Sequence, residues 1–444
     1  MAKKKTISSS DKSLSLFDIG VEHTKSLSIY DKNSLDEHGE LIHFSDQMAI
    51  ATHFLHLHDT KFAHTYSERG QQYIRLWTSP KSDDEPDVLC ELDASQYYLF
   101  KDVFDVPFPA PNKPHFTFID LFAGIGGFRI AMQNLGGECV YSSEWDAQAQ
   151  KTYFANYGDV PFGDITTEHT KSFIPNNFDI LCAGFPCQAF SLAGKRQGFA
   201  ETRGTLFFDV AEILRRKQPK AFFLENVKGL KIHDKGRTLQ TILNTLNEVG
   251  YVVPEPQIMN AMYFGVPQHR ERIYIVGFRK DLGITPSDFH YPEQKEVTKH
   301  FIDIREEKPV ASKYYLSTQY VNTLIAHKER HAAKGNGFGY EIIDDNGVAN
   351  AIVVGGMGRE RNLVIDKRQT DLTPTTRIKG TYNTDGLRRM TPREWARLQG
   401  FPDKFKIVVA DASAYKQFGN SVAVPAIQAT AEQILNTLRQ KEIL

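Results

Sequence analysis

Short apolar runs alternate with stretches of helical periodicity between residues 116 and 278. This alternation is typical of an α/β domain, in which helices flank a parallel sheet. The predicted strands are Phe116 to Leu121, Glu138 to Ser142, Ile180 to Ala183, Ala221 to Leu224 and Arg272 to Phe278. The predicted helices are Phe128 to Leu135, Asp146 to Tyr157, Leu206 to Lys217 and Thr238 to Glu248.

The pattern differs on both sides of this region. Residues 1–113 are polar and irregular, with a hairpin predicted around Tyr73 to Trp77, and a proline-rich segment predicts a linker near their end. Between about Lys280 and Asp385 glycine-rich polar sequence predicts an inserted second domain, after which a helix from Ala426 to Gln440 returns to the first sheet. We predict an N-terminal extension over 1–113, a Rossmann-like domain over 114–280, a small domain over 281–402 and a returning segment over 403–444.

Composition restricts the class of protein. The chain is 41% hydrophobic and 24% charged, and no apolar run approaches the length of a membrane span, so a globular protein without a membrane partner is expected. The basic start lacks an apolar stretch, which argues against a secretory signal and favours a cytoplasmic location. The four cysteines form no Cys-x-x-Cys pair, so reduced thiols are expected.

Net charge gives no indication of a nucleic-acid partner, because 53 basic residues balance 54 acidic ones. A DNA-binding surface would therefore have to be local. The segment from Arg377 to Arg397 is one candidate, with six basic residues against two acids. A solvated basic face is an equal alternative.

Glycines mark a candidate cofactor site. Gly124, Gly126 and Gly127 lie where the first strand passes into a helix, where glycine allows a tight turn and close approach of a ligand. Carboxylates follow the second strand, in Glu144-Trp145-Asp146, and stand further on at Asp164, where such folds hold ribose hydroxyls. The glycine turn alone could be structural, but the three features together favour a cofactor.

The cofactor is not predicted to carry a pyrophosphate. The P-loop pattern is missing, and Arg129 stands where the last glycine of a dinucleotide fingerprint would be. An adenosine-containing cofactor without phosphates suits the residues better, with Trp145 offering a face to the adenine.

Cys187 is the candidate nucleophile. It follows Pro186 in a loop at the carboxyl edge of the sheet, whereas Cys182 lies mid-strand and is expected to be a buried core residue. Glu225 ends the next strand at the same edge, and Arg270 and Arg272 lie two residues apart on one side of an extended segment. Each of these charges could also be an ordinary structural or surface residue.

Together a thiolate, a carboxyl group and arginines suit methylation of an aromatic carbon such as carbon 5 of cytosine. Thiolate addition at carbon 6 makes carbon 5 nucleophilic, while the carboxyl group and an arginine hold the ring. Zinc-dependent deamination of cytosine would need a second cysteine three residues after Cys187, but Phe190 stands there. No metal site is predicted.

The chain resembles the DNA cytosine-5 methyltransferase family from Phe116 to the C-terminus. The ordered motifs that carry the resemblance begin at Phe118, Glu144, Gly163, Gly184, Glu225, Gln268, Arg389 and Gly419. Within the family it is most similar to restriction-system enzymes of the HpaII type, through Lys334 to Tyr340 and Val353 to Arg361.

The resemblance implies S-adenosylmethionine as methyl donor and duplex DNA as substrate. It implies Cys187 as nucleophile, Glu225 at the N3 edge of cytosine, Arg272 at O2, and Arg270 as support for that pocket. The implied cofactor residues are Phe122, Gly124, Gly127, Glu144, Trp145, Asp164, Ile165, Pro186, Leu206, Asn420 and Ser421. The implied DNA contacts are Ser191, Lys195 and Arg203 near phosphate, Phe338 as the wedge that fills the gap of the flipped base, and Arg359 and Arg361 at guanine edges.

The residues that the resemblance assigns to DNA recognition also have structural alternatives. Phe338 could be a core residue, and Arg359 and Arg361 could be surface arginines. Ala351-Ile352 replaces a Thr-Leu pair common in the family, and Ala193 replaces a serine, so contacts of those hydroxyls are in doubt.

The function and partners also have alternatives. A target of CCGG, or a site containing it, is expected, and a monomer is the family's habit. Whether a cognate restriction endonuclease acts on the same site is left open. The competing functions are an RNA (tRNA) cytosine-5 methyltransferase and a DNA-binding regulator on a methylase fold. For residues 1–113 a structural extension is preferred to promoter binding, which some relatives use.

Overall fold

A mixed sheet of seven strands organises the described residues, which are 44–78, 101–186, 206–354, 358–373 and 380–444 of the computed structural model. Its strands are β1 (Phe116–Leu121), β2 (Gly137–Ser143), β3 (Ile180–Gly184), β4 (Ala221–Val227), β5 (Tyr251–Val252), β6 (Gln257–Asn260) and β8 (Glu271–Arg279). The order is β2-β1-β3-β4-β8-β5, with β6 also paired to β8. The short strands outside it are β7 (Gln268–His269), β9 (Ala349–Asn350), β10 (Leu363–Ile365) and β11 (Leu387–Arg389).

The helices of the described residues flank this sheet or build the region after it. They are α1 (Phe44–Leu57), α2 (Ala63–Thr78), α3 (Lys101–Phe104), α4 (Gly127–Asn134), α5 (Ala147–Tyr157), α6 (Glu168–Ser172), α7 (Leu206–Lys217), α8 (Arg237–Glu248), α9 (Thr318–Ala332), α10 (Pro392–Leu398), α11 (Asp411–Asn420) and α12 (Val424–Gln440).

The sheet confirms the predicted α/β fold, with one correction to strand direction. Strands β1 to β4 pair in parallel, but β8 runs antiparallel to β4. The expectation of a wholly parallel sheet was therefore wrong at β8. A strand buried on both faces has the same apolar pattern whether it pairs in parallel or antiparallel, so the pattern does not give its direction. Because β8 is antiparallel, it begins beside the end of β4 and brings Arg272 opposite Val227.

Side chains alternate between two apolar cores along the strands, as period-two geometry requires. In β3, Ile180 and Cys182 face one core, and Leu181 and Ala183 face the other. Helix α12 lies in the first core and packs on α4, which confirms that the C-terminal helix returns to the sheet. Cys182 is fully buried, as predicted for a mid-strand core residue.

The hairpin predicted around Tyr73 to Trp77 is wrong, because these residues belong to α2. The buried residues Phe62, Tyr66, Gly70 and Tyr73 recur at helical spacing, and this longer period prevails over five residues of apparent alternation. An added Cβ at Gly70 would lie 2.6 Å from Phe54 Cβ, so glycine allows α1 and α2 to pack closely.

The region between β8 and α10 has its own small apolar clusters and a buried ion-pair network. Arg388 pairs with Glu394 at 2.8 Å and with Asp366 at 3.1 Å, and all three side chains are fully buried. Trp395 of α10 packs in the first core of the sheet. The division of the chain at residues 113, 280 and 402 stays a prediction.

Candidate active site

A cavity of about 620 Å³ opens at the carboxyl edge of β1 to β4. All eleven predicted cofactor residues line it, and so do Glu225, Arg270 and Arg272. The residues that line the cavity belong to the ends of β-strands, the starts of helices and the segment between α11 and α12. These parts are far apart in sequence but meet at one sheet edge. Cys187 lies outside the described residues, and its chain neighbour Pro186 lines the cavity.

One end of the cavity is formed after β1 and β2. The Glu144 carboxylate accepts hydrogen bonds from the backbone N–H of Gly124 and of Asp146, both at 2.8 Å. Burial raises the pKa of Glu144, and these two N–H donors oppose that rise. The carboxylate is thus fixed in direction, while the Trp145 side chain beside it is 79% exposed.

Backbone geometry at the first turn is unusual for a side-chain-bearing residue. Phe122 has φ +54°, in the left-handed region, directly after β1. At Gly127 an added Cβ would lie 2.7 Å from Val422 Cγ2 and 2.9 Å from Ser421 Oγ, so the start of α4 needs glycine to approach the segment before α12. This approach places Ser421 and Asn420 in the same cavity.

The other end of the cavity holds an acid and two arginines. Glu225 Oε1 lies 3.1 Å from Arg272 Nε, and the two side chains are 10% and 16% exposed. Burial raises the pKa of Glu225, whereas Arg272 and Arg270 oppose the rise. The protonated form of this carboxyl therefore persists to higher pH than in a free glutamic acid, which suits a group that donates a proton.

Arg270 has a different position from Arg272. Its guanidinium donates to the carbonyl oxygens of Ile352 (2.9 Å), Gly419 (3.2 Å) and Ser421 (2.6 Å). Burial, and then Arg272, lower the pKa of Arg270 to about 9. Arg270 thus ties the segment that replaces the family's Thr-Leu pair to the cavity wall, and its supporting role in the cytosine pocket stays a prediction.

Several lining residues were not among the predicted site residues. Asn226 donates from Nδ2 to the Phe185 carbonyl at 2.9 Å and so joins the end of β4 to the loop after β3. Lys416 Nζ reaches Asp146 Oδ2 at 2.5 Å and joins α11 to the start of α5. The position of Asn226 beside Glu225 was a usable signal, whereas nothing local in the sequence marks Lys416.

The described candidates for DNA contact, Phe338, Arg359 and Arg361, do not line this cavity. Phe338 is 66% exposed and its ring lies 5.8 Å from the His331 ring in a tilted arrangement, so the alternative that it is a core residue is wrong. Arg359 lies over the Tyr415 ring at 5.4 Å, and Arg361 pairs with Glu341 at 3.3 Å. Ser191, Lys195 and Arg203, as well as Ala193, lie outside the described residues.

Three of the four described arginines in the segment from Arg377 to Arg397 are paired with acids. Arg388 is buried against Glu394, Arg389 pairs with Glu360 at 2.7 Å, and Arg397 pairs with Asp403 at 2.7 Å. Arg377 and Lys379 lie outside the described residues. A freely solvated basic face therefore does not describe these three arginines, and a DNA surface at this segment stays a prediction.

The described residues contain neither a cluster of metal ligands nor a membrane-spanning helix. No group of three or more His, Cys, Asp or Glu side chains in that part of the chain could hold a metal ion. No helix in it is long and apolar enough to cross a membrane.

Comparison with known proteins identifies the family. The family model for C-5 cytosine-specific DNA methylases matches residues 116–436. The chain belongs to this family. It is a DNA (cytosine-5) methyltransferase, and the resemblance drawn from its motifs is confirmed.

Curated members of the family are similar over most of their length. The type II methyltransferase M.HpaII of Haemophilus parainfluenzae is 72% identical over 354 residues, which covers 79% of this chain and 97% of the relative. M.SsoII of Shigella sonnei is 44% identical, covering 86% of this chain and 96% of the relative. M.HhaI of Haemophilus parahaemolyticus is 42% identical, covering 73% and 95%.

Solved structures support the methyltransferase fold. The Dnmt2 methyltransferase of S. pombe superposes with a TM-score of 0.53 at 20% identity, covering 73% of this chain and 100% of the other. The methyltransferase EhMeth of Entamoeba histolytica gives a TM-score of 0.54 at 19% identity, covering 73% and 98%.

Proposed function

We propose that this methyltransferase binds S-adenosylmethionine at the Glu144 end of the cavity and a flipped cytosine at the Glu225 end, with Cys187 as covalent nucleophile. The observation that carries the proposal is that one cavity joins the eleven predicted cofactor residues to the Glu225–Arg272 pair. Both reactants would thus be held within one continuous space, as methyl transfer requires.

The residues at the Glu144 end fit this donor. Glu144 presents a fixed carboxylate for the ribose hydroxyls, Trp145 offers an exposed ring for the adenine, and Asp164 lies next along the wall. Phe122, Ile165 and Leu206 supply apolar surface. When bound, S-adenosylmethionine supplies an electrophilic methyl group on a sulfonium.

The residues at the Glu225 end can activate the ring. The Cys187 thiolate adds to carbon 6 of cytosine, and N3 takes a proton from the Glu225 carboxyl, whose raised pKa favours the protonated form. Arg272 holds O2 and, through its contact with Oε1, fixes the Glu225 side chain. Carbon 5 then has enamine character and would attack the donor's methyl carbon, so that the bond from this carbon to the sulfonium sulfur would break and leave its electron pair on sulfur.

Two further steps restore the aromatic ring. Carbon 5 now carries both a methyl group and a proton, and that proton is lost to a base. The bond between carbon 6 and Cys187 sulfur breaks, the electron pair returns to sulfur, and the N3 proton returns to Glu225. The products are 5-methylcytosine, demethylated cofactor and one proton, so Cys187 and Glu225 end as they began.

A cytosine inside a duplex cannot reach this cavity, so we propose that it is flipped out of the helix. The exposed ring of Phe338 supports its role as the wedge that stacks in the gap. Ser191, Lys195 and Arg203 are proposed to contact phosphate from the loop after Cys187.

For the target we propose CCGG or a site containing it. The 72% identity to M.HpaII and the similarity of the glycine-rich loops around Phe338 and Arg359 support this choice. Arg359 and Arg361 are exposed and are proposed to read guanine edges in the major groove. A cognate restriction endonuclease acting on the same site is a proposed partner, because the curated relatives are named type II methyltransferases.

One assay tests the covalent mechanism and the substrate together. Labelled S-adenosylmethionine is incubated with duplex DNA or with tRNA, using the wild type and Cys187→Ala. We expect label on DNA with the wild type and none with the variant. Label on tRNA alone, or undiminished label on DNA with Cys187→Ala, would contradict the proposal, and bisulfite sequencing of the methylated DNA tests the CCGG assignment.

A further inference from the structure

Helices α1 and α2 lie outside the segment matched by the family model, which begins at residue 116. Even so, most of α1 is buried among the described residues. Every residue from Asp46 to His53 is buried, including the polar Gln47 and Thr52. A helix buried on all sides lies between other elements, and here α1 packs on α2 and on β2.

Two hydroxyl groups join this helical pair to backbone atoms near the cavity. Tyr66 Oη lies 2.9 Å from the carbonyl oxygen of Val140 and 3.2 Å from that of Phe173, and its single proton serves these acceptors. Thr52 Oγ1 donates to the Met48 carbonyl and accepts from Val160 N–H at 3.0 Å. Both bonds are buried, and loss of a buried hydrogen bond costs more free energy than loss of an exposed one.

The backbone segments that these hydroxyls contact continue, within a few residues, to the Glu144 end of the cavity. Phe162, two residues after Val160, accepts from Glu144 N–H at 2.7 Å and donates to the Ser142 carbonyl at 2.8 Å. Its ring stacks on Tyr141 at 5.0 Å and lies 5.0 Å from the His53 ring of α1. Glu144 follows β2, and Asp164 comes two residues after Phe162.

We propose that Thr52 and Tyr66 are positioning residues for the methyl donor, which hold the Val160–Ile165 segment and the end of β2 in the arrangement that binds it. This inference rests on the proposed cofactor site. It adds that helices outside the matched methylase region determine donor affinity in this chain. Glu225 and Arg272 lie three and four strands away from β2, about 14 Å and 19 Å across the sheet, so the cytosine end does not depend on these contacts.

The test measures donor binding to the full chain without DNA. Calorimetric titration with S-adenosylmethionine should give a Kd about threefold to tenfold higher for Tyr66→Phe and for Thr52→Val, as is typical of residues coupled to a site through one packed layer. The KM for the donor should rise equally, while the KM for DNA and the kcat at saturating donor stay within about twofold of wild type. Thr52→Ser keeps the acceptor for Val160 N–H and should bind like wild type.

Tyr251→Phe is the matched control, because the Tyr251 hydroxyl is also buried and donates to a backbone carbonyl, that of Pro219, at 2.8 Å. Tyr251 lies on β5, at the opposite edge of the sheet from β2. Its loss should lower stability to a similar extent but leave the donor Kd unchanged. If Tyr251→Phe raised the donor Kd as much as Tyr66→Phe and Thr52→Val, the weaker binding would follow from a general loss of stability. That result would overturn the inference.

Trp145→Ala separates this inference from the proposed cofactor site. If Trp145→Ala weakens donor binding but Tyr66→Phe and Thr52→Val do not, the site stands and the positioning role is wrong. If Trp145→Ala leaves the Kd unchanged, the cofactor site itself is wrong, and the positioning role falls with it.

Discussion

Replacing Glu225 with glutamine changes one property of the proposed cytosine pocket. The glutamine side chain has the same shape and keeps an oxygen that can face Arg272 Nε, which lies 3.1 Å from Glu225 Oε1. It cannot give a proton to N3. Glu225→Gln therefore tests proton donation while most of the packing around this buried position is kept.

The size of the effect follows from the role of the proton. A positioned general acid contributes about 10²–10⁴-fold to a rate, which corresponds to about 3–5 kcal/mol of activation free energy. Single-turnover methyl transfer to duplex DNA with saturating labelled donor should be slower by this factor in Glu225→Gln. The donor Kd should stay within about twofold of wild type, because Glu144 and Trp145 form the other end of the cavity.

The raised pKa of Glu225 also predicts how the methyl-transfer rate changes with pH. Burial raises the pKa of Glu225, so the active protonated form persists above the usual range of a carboxyl group and is lost as pH rises through the raised pKa. The wild-type rate should contain a falling limb from this group on its alkaline side. Glu225→Gln should lack that limb, because glutamine does not titrate.

Glu144→Gln is the matched control, since it makes the same change in a carboxyl group at the donor end. It should raise the donor Kd and leave the single-turnover rate at saturating donor much closer to wild type. The reasoning is refuted if Glu225→Gln keeps a rate within tenfold of wild type or keeps the alkaline limb.

Three further predictions concern stability and are measured by urea unfolding. Glu394→Gln should cost about 3–5 kcal/mol, because it leaves the fully buried Arg388 charge without its main partner, whereas a surface pair would cost under about 1 kcal/mol. Gly158→Ala should cost about 2–4 kcal/mol, since residue 158 has φ +77° and an added Cβ would lie within 2 Å of the Val103 carbonyl oxygen; a neutral result would contradict this packing. Burial lowers the pKa of His53 from 6.5 to about 4, so stability should fall as pH drops through that window, by up to about 3 kcal/mol, because only the unfolded histidine takes up a proton. His53→Phe should lack this part of the acid loss.

The sequence predicted β3 and β4 because each contains an apolar run that stops at a glycine or polar residue, but β4 continues to Val227, beyond the predicted end at Leu224, and β5 and β6 were not predicted. Glu225 is an example, since it follows the apolar run that starts at Ala221 and reaches the cavity as expected. Strand direction was not predictable in the same way. A strand buried on both faces has the same apolar pattern whether it is parallel or antiparallel, and β8 was therefore assigned the wrong direction.

The N-terminal helices show a second reason for incomplete prediction. The polar positions of α1, such as Thr52 and His53, suggest exposure in a local pattern, but they are buried by residues more than 80 positions later in the chain. Burial of a polar residue depends on its partner, and a single sequence does not identify a partner at such a distance.

Charged side chains also depend on partners that are distant in sequence, and this affects which arginines can form a DNA surface. Counting basic residues between Arg377 and Arg397 treats each one as free, but the partners of Arg388, Arg389 and Arg397 include acids at other places in the chain, such as Asp366 and Glu360. A charge that has a buried partner contributes little to the field that attracts phosphate. The exposed Arg359 is a stronger candidate than any of these three, and the contribution of a basic segment to DNA binding follows from its unpaired charge and not from its composition.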